Sequence, residues 1–139
     1  MFETVAQSVI HKPVKDVFAY VRNMQNQSIY NSSIISSEVM NGEATEYRVK
    51  IDLGILNLTE TYVIQEIIEN KLIVASCKSN AMTFTDSYEF SDSNGDCLLI
   101  VKDKMELKGL FKLSEGIVKM NLKTQMNQNL LSLKKILES

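Results

Sequence analysis

The sequence predicts an α+β domain in which an antiparallel sheet wraps one long C-terminal helix. The central region from Ile34 to Leu107 is a succession of β-rich segments broken at short intervals, two of the breaks being tight-turn pairs, Gly54-Ile55 and Asn94-Gly95. Apolar and polar residues alternate along those segments, as they do in a sheet with one wet face. The C-terminal region instead repeats its apolar residues every three or four positions, the period of a helix. At 139 residues, one domain spanning 1–139 is expected.

In chain order, Glu3 to Ile10 reads as a first strand, after which Pro13 marks the first turn of a helix, where its missing N–H costs nothing. Asp16 adds a favourable charge to that turn, and Val14, Val17, Phe18 and Val21 form one apolar face. The polar segment Asn23 to Ser33 reads as a second short helix or ordered turn, with Met24, Ile29 and Tyr30 as its anchors.

The two turn signals then set register. A two-residue turn at Gly54-Ile55 places Leu53 opposite Leu56, Ile51 opposite Leu58, Val49 opposite Glu60 and Tyr47 opposite Tyr62. A turn at Asn94-Gly95 pairs Phe90 with Leu99, Tyr88 with Val101, Asp86 with Asp103 and Phe84 with Met105. The alternate positions, among them Arg48, Lys50, Thr59, Thr61, Thr85, Lys102 and Lys104, face water. The opposite face needs a cover, supplied by Phe111, Val118, Leu122, Met126, Leu130, Leu133 and Leu137 on an amphipathic helix from about Leu110 to Leu137. Such a helix is roughly 40 Å long, enough to cross a sheet. Gly109 marks its approach and Gly116 is placed to bend or delay its first turn.

Composition excludes several functions. Fifteen Lys and Arg against seventeen Asp and Glu leave a formal charge of -2, so no overall positive field favours nucleic acid, and none is expected as a partner. No stretch approaches the ~18 apolar residues of a membrane span, so no integral membrane association is expected. The N-terminus lacks a basic segment followed by an apolar run, and a cytoplasmic location is expected. Cys77, Cys97 and the single histidine, His11, build no zinc or iron-sulfur spacing, and neither metal nor cofactor is expected. There is no nucleophile motif and no Gly-rich phosphate loop.

The order strand, two short helices, six strands and one long terminal helix, with the opening stretch Ile10 to Val21 (IHKPVKDVFAYV) and the closing stretch Met126 to Glu138 (MNQNLLSLKKILE), resembles the START-like superfamily, also called SRPBCC. That superfamily has the helix-grip fold of polyketide cyclases and birch-pollen-type allergens. Tyr30 falls where many relatives carry tryptophan. The resemblance implies a seven-stranded antiparallel sheet around the long helix, with the last three strands as sequential neighbours. The strands of Cys77 and Cys97 then flank a third, two inter-strand steps or ~9.5 Å apart, and both cysteines are expected as free thiols. Lipid carriers, hormone receptors, quinone-binding proteins, cochaperones and cyclases share this fold, so the resemblance identifies no activity.

With these registers the covered face carries Glu60, Tyr62, Ser76, Asp86, Tyr88 and Asp103, and the helix adds Met126: a wall suited to a ligand with an apolar body and one polar end. Asp86 opposite Asp103 is the informative pair, because like charges across strands destabilise a sheet unless water, a shared proton, a cation or a ligand offsets them. The expected function is noncatalytic binding or transport of a hydrophobic small molecule, lipid-like or aromatic. The alternative is a polyketide cyclase/dehydratase-like enzyme using cavity acid/base groups. A third class is a protein-interaction module with a filled interior. The sequence leaves oligomeric state open, a homodimer included.

Overall fold

In the computed structural model, which describes residues 1–54 and 57–139, the chain runs through the expected order of elements. β1 (Phe2–Ile10) leads through Pro13 into α1 (Val14–Arg22). Val17, Phe18 and Val21 are its buried face, and Phe18 meets Phe90 edge-on with ring centroids 5.2 Å apart. The next segment is a 3₁₀ turn (Met24–Asn26) and a single helical turn, α2 (Gln27–Tyr30). Met24, Gln27 and Tyr30, spaced three apart, are its buried side. Ile29, expected as an anchor, is 62% exposed because it lies off that face.

Six further strands follow: β2 (Ile34–Val39), β3 (Glu46–Asp52), β4 (Asn57–Ile68), β5 (Leu72–Lys78), β6 (Met82–Ser93) and β7 (Asp96–Leu107). Among the described residues they form one seven-stranded antiparallel sheet in the order β1-β7-β6-β5-β4-β3-β2. Asn94 and Gly95 both have positive φ, 55° and 91°, as a type I′ turn demands. That turn fixes the long β6–β7 ladder, with Phe90 opposite Leu99, Asp86 opposite Asp103 and Phe84 opposite Met105. In the β3–β4 hairpin, Ile51 faces Leu58, Val49 faces Glu60 and Tyr47 faces Tyr62. The turn pair Gly54-Ile55 and the Leu53–Leu56 pairing reach outside the described residues.

One register departs from even alternation. β4 and β5 shift between Ile64 and Glu66 through a bulge, so Ile64 pairs with Ala75 while Glu66 pairs with Val74. Ile73, Ala75 and Cys77 are the buried positions of β5, and Ser76 therefore lies on the outer face, where it accepts a 3.0 Å hydrogen bond from Gln65 Nε2. This corrects its expected place on the covered face. β5 carries apolar residues on both sides, and the bulge in its partner decides which side turns inward.

The cover is α3 (Glu115–Glu138), roughly 36 Å long, burying Val118, Leu122, Met126, Leu130 and Leu133. It starts later than expected, because Gly109 at φ 59° and a 3₁₀ segment (Gly109–Ser114) occupy the approach, leaving Phe111 half-buried ahead of the helix proper. Lys123 and Lys134 of α3 donate to the carbonyls of Val5 and Val9 on the edge strand β1, the second at 2.7 Å. An open strand edge is thereby occupied by side chains of the helix. Cys77 and Cys97 are buried free thiols.

Candidate functional site

Between the concave face of the sheet and α3 lies a cavity of about 90 Å³. Its wall is mainly hydrocarbon and thioether: Ile51, Leu53, Met82, Phe84, Leu99 and Met105 from the sheet, with Leu122, Met126, Leu130 and Leu133 from α3. Polar groups gather at one side, where Asp86, Tyr88 and Asp103 of β6 and β7 meet Gln27, Tyr30, Asn31 and Ser33 around α2 and Asn129 of α3. Asp103 stands between Asp86 on β6 and Thr4 on β1 and is only 6% exposed. Among the described residues its Oδ1 has no hydrogen-bond partner, nor does the buried Oη of Tyr30.

A chain of hydrogen bonds connects the carboxyl pair to the helices. Tyr62 Oη donates to Asp86 Oδ2 at 2.6 Å, and the hydroxyls of Tyr62 and Tyr88 lie 3.3 Å apart. Gln27 Nε2 donates to Tyr88 Oη at 2.8 Å, Asn31 Nδ2 to Gln27 Oε1 at 3.0 Å, and Asn129 Nδ2 to Asn31 Oδ1 at 3.0 Å. Backbone donors fix which way the amides point. Ser33 N–H must meet an oxygen and finds Asn31 Oδ1 at 3.0 Å, while Ser32 N–H finds Asn129 Oδ1 at 3.0 Å. Since Tyr88 Oη receives the Gln27 donor, its own hydrogen is free for Tyr62. Every link then donates toward Asp86.

Burial pushes both carboxyls above the ordinary aspartate range. For Asp103 desolvation is the largest cause, reinforced by the neighbouring Asp86 charge and by hydrogen bonding between the two carboxyls. Desolvation also raises Asp86, but the hydrogen bonds from Asp103 and Tyr62 pull in the other direction. The two facing carboxyls therefore titrate as a pair, both held toward the neutral form. Burial, then the Asp86 charge, keep the hydroxyls of Tyr62 and Tyr88 neutral. Burial raises the Cys77 thiol to about 12, with the Glu60 charge assisting, so Cys77 is no ready thiolate nucleophile.

Of the residues singled out in the sequence, Asp86, Tyr88, Asp103 and Met126 line the cavity. Tyr62 stands behind them, stacked on Phe84 with centroids 5.5 Å apart and bonded to Asp86. Glu60 is half-buried outside the cavity lining, its Oε2 3.7 Å from Cys77 Sγ, and Ser76 is on the other face. Gln27, Asn31, Ser33 and Asn129 were not anticipated. For Gln27 the signal was present, since Met24, Gln27 and Tyr30 share one side of a turn. Asn129 likewise falls three positions after Met126, on the inner side of α3.

No protein-family model matches the chain, and no curated protein matches its sequence. Solved structures do match. A protein from Thermus thermophilus superposes with a TM-score of 0.83 at 14% identity, over 98% of this chain and 97% of that one. A START superfamily protein from Mycobacterium smegmatis gives 0.69 at 11% identity, over 90% and 94%. BexL, a di-domain ARO/CYC protein of the BE-7585A biosynthetic pathway, gives 0.76 at 15% identity, over 99% of this chain and 50% of BexL. At these identities the likeness establishes the fold alone, the helix-grip arrangement of an antiparallel sheet around a long C-terminal helix.

Proposed function

We propose that the chain binds a small molecule with an apolar body and one polar end in the cavity between sheet and α3, without transforming it. The observation that carries this reading is Asp103 Oδ1, a buried acceptor on the wall of a mainly hydrocarbon cavity, with no partner among the described residues. A fold seldom leaves such an atom unmade, because an unmet buried polar group costs about 1–3 kcal/mol, and a ligand donor would recover it. The cavity of about 90 Å³ is smaller than the ~300 Å³ at which drug-sized sites begin. The ligand is accordingly compact, or it enters as Met82, Met105 and Met126 rearrange, which unbranched thioethers do readily.

Native mass spectrometry of the protein isolated from its own cells, followed by solvent extraction, is the test. A reproducible co-purifying molecule of fixed mass is expected. Its consistent absence, with a cavity that admits no added apolar molecule, overturns the reading in favour of an interaction module with a filled interior.

A cyclase- or dehydratase-like enzyme is the second reading, favoured by two carboxyls, Asp86 and Asp103, facing each other on the wall of one cavity. Returning the extracted molecule to ligand-free protein separates the two. Recovery unchanged supports the binder, and conversion supports the enzyme.

A further inference from the structure

We propose that the polar end this cavity accepts is cationic: a primary ammonium on a compact apolar body, its N–H donors directed to Asp86, Asp103 Oδ1 and Tyr30 Oη. The inference rests on the binding reading above and names its ligand class.

Three observations converge on it. The first is the imbalance of charge, since the lining includes two aspartates facing each other across β6 and β7 and, among the described residues, no Lys, Arg or His. Neither aspartate has a salt-bridge partner among the described residues. The second is the distribution of donors. Tyr62, with the amide chain behind it, delivers its hydrogen to Asp86 Oδ2, and no described residue donates to Asp103 Oδ1. The third is Tyr30, which lines the same cavity and whose buried hydroxyl is equally unpartnered. That hydroxyl stays neutral, through burial first, with the nearby Tyr20 and Asp86 further opposing its ionisation, and keeps lone pairs to offer.

The head groups a small amphiphile can carry differ sharply against this wall. A carboxylate or phosphate brings a like charge into a low-dielectric space beside Asp86, which is opposed. A neutral alcohol supplies one donor to a site with several unmet acceptor positions. An ammonium supplies three donors and the missing positive charge, so the desolvation of both partners is offset by their pairing. Anionic amphiphiles such as fatty acids are thereby disfavoured.

The test uses the whole chain labelled with ¹³C at its methionine methyls, in an amine-free buffer at neutral pH, titrated separately with benzylamine, benzyl alcohol and benzoate. Shifts of Met82, Met105 and Met126 report occupancy of the cavity. Benzylamine is expected to bind at least tenfold more tightly than the alcohol, about 1.4 kcal/mol, with benzoate weakest. In Asp86→Asn/Asp103→Asn the amine preference is expected to vanish while the alcohol still binds. If that variant fails to fold, the order among the three probes on the wild-type chain decides alone. Alcohol or benzoate binding as well as the amine overturns the cationic preference and leaves the cavity reading intact. No methionine shift with any probe overturns both.

Discussion

Two parts of the interior obey opposite rules. Ile10, Ile73, Leu107 and Leu133 are buried hydrocarbons of the core, and there each buried methylene adds stability. Around Asp86 and Asp103 the same burial opposes ionisation, and what it would stabilise it partly takes away. Both parts rest on one sheet and under one helix. This fold therefore tolerates a local penalty within a sound core, and a penalty kept at a cavity wall is where ligand chemistry is to be sought.

The contrast is tested hardest in the hydrocarbon part. Leu133→Ala is expected to lower the unfolding free energy by about 2–5 kcal/mol in denaturant melts, whereas Leu131→Ala, on the exposed side of α3, changes it by less than ~0.5 kcal/mol. Similar effects at the two positions would mean that α3 is packed on the wrong face. Tyr62→Phe removes the phenolic donor to the part-buried Asp86 carboxyl and is expected to cost about 1.5–3 kcal/mol. Carboxyl NMR should show Asp86 titrating higher in that variant than in the wild type, and no movement would detach Tyr62 from the pair.

In the polar part, Asp103→Asn reverses the sign. Because both folded carboxyls titrate above the unfolded value of about 4, the folded state binds more protons, and the pair's stabilisation is complete below that pH. It is lost as pH rises through the raised folded values. The asparagine variant does not titrate at this position, so at pH 7 it is expected to be more stable than the wild type by on the order of 1 kcal/mol, an advantage that disappears near pH 4. Equal stability at both pH values would place the pair in solvent. The smallest expected effect is that of Asn129→Ala: the exposed Ser32 donors it abandons turn to water, and the part-buried bond to Asn31 is worth about 0.5–1.5 kcal/mol, with a shift in the Asp86 titration as its specific signature.

Much of this architecture was legible because turn chemistry and alternation agreed. Asn94-Gly95 admitted one register, and from it came the pairing of Asp86 with Asp103. The spacing of Val118, Leu122, Met126, Leu130 and Leu133 likewise admitted one helical face. Ser76 was misplaced because a bulge inserts a residue without a turn signal, and β5 offers apolar residues on both sides. The amide chain escaped notice for another reason. Gln27 and Asn31 are far from Asn129 in sequence, and polar residues on short helices ordinarily face water, so only the folded chain brings their side chains into line.

That line has an electrostatic consequence. Its amide and phenol dipoles add head to tail, as peptide dipoles do along a helix, and the summed field presents its positive end to Asp86 without a cationic side chain among the described lining residues. Asn129 rides on α3 and Asn31 closes α2, so the potential felt by the carboxylate depends on the spacing of two elements that both border the cavity. A molecule that pried them apart would open the Asn129–Asn31 link and leave Asp86 more basic, converting a mechanical displacement into a change of proton affinity.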